Sequence, residues 1–134
     1  MKNAQISMEY LVIAGLVFVI AVPLIMIFQT HSGQMNDDII SNQVDQIASK
    51  VLDSAEAIYY LGEPSRTTIR VFFPKKINNI SIGDYEITFQ VRRQKGVDDV
   101  VKLSSVPING SLPTTSGIHN VIIESRGSYV WVGT

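Results

Sequence analysis

The stretch YLVIAGLVFVIAVPLIMIF, residues 10–28, runs for 19 residues without a charge. As a helix it is about 28 Å long at roughly 1.5 Å per residue. That matches a bilayer core of about 30 Å. A helix inside a soluble protein keeps a polar face over such a length, and this one has none. The segment therefore reads as membrane-resident at some stage. A cleaved secretory signal has an apolar core of about 7–15 residues followed by a small-residue cleavage site. Here the run is longer, and it ends in MIFQTHSGQ without such a site.

Beyond it, residues 34–64 read QMNDDIISNQVDQIASKVLDSAEAIYYLGEP. Ile40, Val44, Ile47, Val51, Ala55 and Ile58 recur at intervals of three and four, one apolar stripe on a helix. Asp37 and Asp38 read as a solvated first turn. Gly62 reads as the C-terminal cap, with Pro64 just beyond. The organisation is thus a hydrophobic helix over 5–30, an amphipathic continuation over 31–62, and a further domain from residue 66. A stripe of this kind is stabilised mainly by what covers it, and the downstream domain is the expected partner.

From Arg66 the period changes to two. TTIRVFF, YEITFQVRR, VDDVVKLSS, NVIIES and SYVWVG are rich in β-branched and aromatic residues. Tyr85, Ile87, Phe89 and Val91 alternate with Glu86, Thr88 and Gln90. Turn signals at Pro74, Asn78-Asn79, Gly83-Asp84, Lys95-Gly96, Asn109-Gly110 and Arg126-Gly127 separate the runs. The expected fold class is α+β: a long N-terminal helix packed on a small antiparallel β-sandwich or sheet over 66–134. Sixty-odd β residues are marginal alone, so the helix should complete their core.

The remaining composition excludes more than it suggests. The formal net charge is −1 and cysteine is absent. Nothing favours a nucleic-acid backbone, and a disulfide framework, thiolate metal site or cysteine nucleophile is ruled out. His31 and His119 lie far apart, which argues against a histidine metal site. There is no phosphate loop, no G-x-S-x-G and no H-E-x-x-H. Asp98 and Asp99 are strand neighbours and face opposite sides. The expectation is a protein with no cofactor and no enzymatic activity. Arg92, Arg93 and Lys95 read as a solvated strand end. Asn79-Ile80-Ser81 and Asn109-Gly110-Ser111 match N-x-[ST], making Asn79 and Asn109 candidate N-glycosylation acceptors in turns.

Glu9 stands at the lip of the apolar run. As a solvated flank it needs no special role, and at a helix N-terminus it gains roughly 0.3–1 kcal/mol from the macrodipole. Gly15 and Pro23, inside the run, are common in membrane helices. They can also serve as a bend or melting point, because Pro23 cannot donate to the Val19 carbonyl and Gly15 permits close approach of a neighbour.

Gln5-Ile6-Ser7-Met8-Glu9-Tyr10-Leu11 resembles the Q-x-S-x-E-[YF]-L signature of archaeal type IV pilins with a class III signal peptide. The resemblance implies a leader over 1–4, MKNA, removed by a prepilin peptidase between Ala4 and Gln5. The apolar helix then stays in the mature chain, and Glu9 becomes its fifth residue. The new amine of Gln5 and the carboxylate of Glu9 would act in assembly and registration. A charge at the bilayer centre costs about 2.5–3.5 kcal/mol on insertion scales, and pairing relieves that cost as helices leave lipid. The resemblance also implies a surface filament used in adhesion. The expected partners are copies of the chain, an assembly ATPase and its membrane platform protein. The expected location is the cytoplasmic membrane before assembly and the extracellular filament after it. The rival expectation is a single-pass membrane anchor carrying an extracellular β domain that binds a ligand.

Overall fold

A computed structural model describes residues 2–134 as one long helix, α1 (Lys2–Leu61), followed by seven strands. These are β1 (Arg66–Phe73), β2 (Ile77–Gly83), β3 (Glu86–Arg93), β4 (Gly96–Leu103), β5 (Ile108–Gly110), β6 (Gly117–Ser125) and β7 (Val130–Gly133). The chain divides into two compact units, one ending at Asn36 and one spanning Asp37–Thr134.

In the first unit the helix is continuous through His31-Ser32-Gly33 and through Pro23. From Ile6 to Phe28 every large apolar side chain is 46–75% exposed. None of the residues in its most apolar 18-residue window is buried. The segment is long and apolar enough to cross a membrane, and it lacks the burial that marks a soluble core helix.

In the second unit the helix has the expected two-faced character. Val44, Ile47, Val51, Ala55 and Ile58 are buried, and Ile40 packs beside them. Ala48 and Leu52 join them, so the apolar face is one column wider than the sequence stripe. The helix ends where a left-handed residue is needed. Gly62 has φ 76°, and its N–H donates to the carbonyls of Ile58 (3.2 Å) and Tyr59 (3.1 Å). Only glycine enters that conformation without a Cβ penalty, which makes it the cap.

The strands form one sheet in the order β1-β6-β7-β5-β2-β3-β4. The pairing of β5 with β7 is parallel; every other pairing is antiparallel. One face of the sheet is buried with the helix. Phe73, Ile87, Phe89, Val91, Val121, Ile123, Val130 and Val132 are at most marginally exposed. The alternation anticipated in YEITFQV holds for Ile87, Phe89 and Val91, whereas Tyr85 is 54% exposed and lies in the turn before β3.

Two strands occupy stretches whose residues signal turns. Asn78-Asn79 and Gly83-Asp84 flank or interrupt β2, but Ile77, Ile80 and Ile82 are buried within it. A register shift between Ile77 and Asn79 lets two exposed Asn sit side by side without expelling the isoleucines. Asn109-Gly110 lies in the three-residue strand β5 rather than in a turn. Gly110 has φ 146°, and a Cβ there would fall on the Val132 carbonyl. The close approach of β5 to β7 thus requires glycine.

Candidate assembly surface and its anchorage

Ala4, Gln5 and Glu9 all lie on exposed helix. Gln5 and Glu9 are four residues apart, one above the other on the same side. Helical side chains lean toward the N-terminus, so the Glu9 carboxylate leans toward the turn that holds Gln5. Met8, Glu9, Val12 and Ile13 border an open recess of about 410 Å³, apolar except for the acid. A lone carboxylate on an otherwise apolar surface can pair with a cation brought by another molecule, and nothing else in that patch competes with it.

Gly15 sits eight residues before Pro23, about 12 Å along the axis. A Cβ added at Gly15 would meet nothing within 4 Å. No contact within the chain demands glycine there. What its missing side chain provides is a shallow place where another backbone can approach. At Pro23 the helix persists, and the Val19 carbonyl lacks the N–H donor that any other residue would supply.

Where the second unit begins, polar side chains fasten the helix to the rim of the sheet. Asp37 is 5% exposed, which corrects its reading as a solvated first-turn acid. Its carboxylate accepts from Lys76 Nζ at 2.9 Å and from the Gln94 N–H at 3.1 Å. Lys76 lies in the β1–β2 turn and Gln94 in the β3–β4 turn, so one acid clasps two turns. The Lys76 hydrogen bond, followed by the Gln94 N–H, holds the Asp37 carboxyl below the usual carboxylate range.

Asp38 keeps a solvated side chain, 68% exposed and 3.7 Å from Arg93. Arg93 also reaches Asp98 (2.7 Å) and Ser41 (2.9 Å), so it is a fastening rather than a free strand end. Lys102 holds Asp45 at 3.1 Å, and Lys50 donates to the Arg70 carbonyl at 3.0 Å. Apart from Arg93 and Asp98, the partners in these contacts are 20 to 57 residues apart, so no local sequence signal marks them.

Asn79 and Asn109 are both exposed, on adjacent strands β2 and β5 and on the sheet face away from the core. Asn79 is open to modification. The Asn109 side chain is engaged locally, its Oδ1 accepting from the Gly110 N–H at 2.7 Å. Among the described residues no group of three or more His, Asp or Glu side chains is placed to hold a metal ion. No family model, curated protein or solved structure matches the chain.

Proposed function

We propose that this chain is a pilin, the structural subunit of an archaeal type IV pilus-like surface filament that serves adhesion. The observation that carries the reading is the membrane-length helix, apolar on every side and unburied, with one acid near its start. Soluble monomers rarely expose contiguous apolar patches beyond a few hundred Å². This surface needs either lipid or copies of itself. Those two environments are nearly equal in apolarity, so helices can pass from one to the other at little cost. Glu9 gives the exchange a direction, since a carboxylate gains more from a partner amine than from hydrocarbon.

In this account the prepilin peptidase cuts between Ala4 and Gln5. The Gln5 amine of one subunit then meets Glu9 of another or of its own chain. Gly15 admits close helix approach, and Pro23 gives way where the bundle demands it. The assembly ATPase and its platform protein supply the work of extraction. The β domain lies outside, where Asn79 and Asn109 can carry glycans. The role is structural and calls for no cofactor.

Glu9→Ala and Glu9→Gln test the reading in cells. Both variants should insert into the membrane normally yet yield few filaments by electron microscopy. Filaments at normal yield would refute the registration role. An uncleaved chain that stays monomeric in detergent would favour the anchored binding module instead.

A further inference from the structure

The sheet has two open edges, β1 and β4. An exposed eight-residue edge is a template for another strand unless something blocks it. The edges differ in charge on the face away from the helix. β1 presents Thr68, Arg70 and Phe72; β4 presents Val97, Asp99 and Val101, and all six are exposed. Among the described residues neither Arg70 nor Asp99 has an ion-pair partner.

The strand directions decide how two copies can meet. Seven strands paired antiparallel throughout would leave the first and last parallel to each other. The single parallel pairing, β5 with β7, reverses that, so β4 runs antiparallel to β1. Copies related by a rise and rotation about one axis keep the axial sense of every strand. The β4 of one copy therefore approaches the β1 of the next antiparallel, and such an edge-to-edge contact is heterologous and propagates.

We propose that β4 of one subunit pairs with β1 of its neighbour, in the register that sets Arg70 opposite Asp99. The same register places Phe72 against Val97 and Thr68 against Val101. That is a cation on an anion between an apolar pair and a β-branched pair, the cross-strand combinations that stabilise a sheet. In the single molecule Lys50 guards the β1 edge by holding the Arg70 carbonyl. When the neighbour enters, Lys50 releases that carbonyl, and the Arg70 backbone is free to pair with the incoming strand. This inference rests on the filament reading and adds the contact between outer domains.

The test uses full-length chains expressed in filament-forming cells. Arg70→Glu and Asp99→Arg should each cut filament yield about tenfold or more, because like charges then face across the seam. Combining them should restore yield to within about threefold, since the pair is re-formed with reversed sign. Unfolding midpoints in detergent should be unchanged, as both positions are exposed. The chain has no cysteine, so a Thr68→Cys, Val101→Cys chain should give covalent ladders on oxidation of filaments, and neither single variant should. Normal yield from both charge reversals, or filaments without ladders, would overturn the pairing. Absence of filaments from the unaltered chain would instead defeat the subunit reading, and the pairing with it.

Discussion

Leu52→Ala measures how far the helix is part of the domain core. Leu52 is 4% exposed and lies within the helical face that packs on the sheet. Removing its branched end deletes buried methyl groups and leaves a cavity between two rigid elements. Such changes cost about 2–5 kcal/mol. A domain the size of Asp37–Thr134 is stable by roughly 5–15 kcal/mol, so the loss is a large share. The midpoint of thermal unfolding should fall by roughly 8–40 °C at about 4–8 °C per kcal/mol. Asp53→Ala, one residue along on the exposed side, should shift stability by no more than about 0.5 kcal/mol. The full chain in detergent supplies the sample, and Trp131, its one tryptophan, reports unfolding by fluorescence. Equal midpoints for the two variants would refute the claim that Asp37–Leu61 completes the core.

Asp37→Asn should lower the denaturation midpoint at neutral pH, since it removes the charge that Lys76 and Gln94 hold. The Asp37 carboxyl is depressed in the folded chain. Its contribution is therefore present above the ordinary carboxylate range and is lost as pH falls through the folded value. The gap between parent and variant in urea midpoint should narrow below about pH 4; a gap that widened there would contradict the assignment. Gly110→Ala should cost about 2–5 kcal/mol through strain at positive φ and collision with the Val132 carbonyl. Amide exchange at Ser111 and Val130, which donate to Val132 and Pro107, should accelerate with it. Intact-mass spectra of native filaments should lose discrete glycan increments in Asn79→Gln and Asn109→Gln, the two exposed acceptors; unchanged masses would show both sites bare.

The sequence was most legible where one physical demand dominates. Nineteen uncharged residues admit few environments, and the spacing of Ile40 through Ile58 admits only a one-sided helix. Ala48 and Leu52 carry no such mark, because they flank that stripe rather than repeat it. Strand β2 was hidden by local chemistry: Asn78-Asn79 and Gly83-Asp84 are turn-formers, and only a register shift reconciles them with buried Ile77, Ile80 and Ile82. Asp37 looks solvated in the sequence because its partners Lys76 and Gln94 are 39 and 57 residues away. The parallel seating of β5 on β7 follows from tertiary closure, which no window of residues encodes. By contrast the opposed faces of Asp98 and Asp99 follow from strand geometry alone. Asp98 meets Arg93, and Asp99 stays exposed.

Mass spectrometry of filaments sheared from intact cells decides whether the apolar helix survives in the assembled subunit. The assembled protein should give an N-terminal peptide that begins at Gln5, allowing for cyclisation of that glutamine, and should still contain residues 10–28. Surface protein that lacks those residues, or that occurs only as single molecules, would contradict the subunit reading.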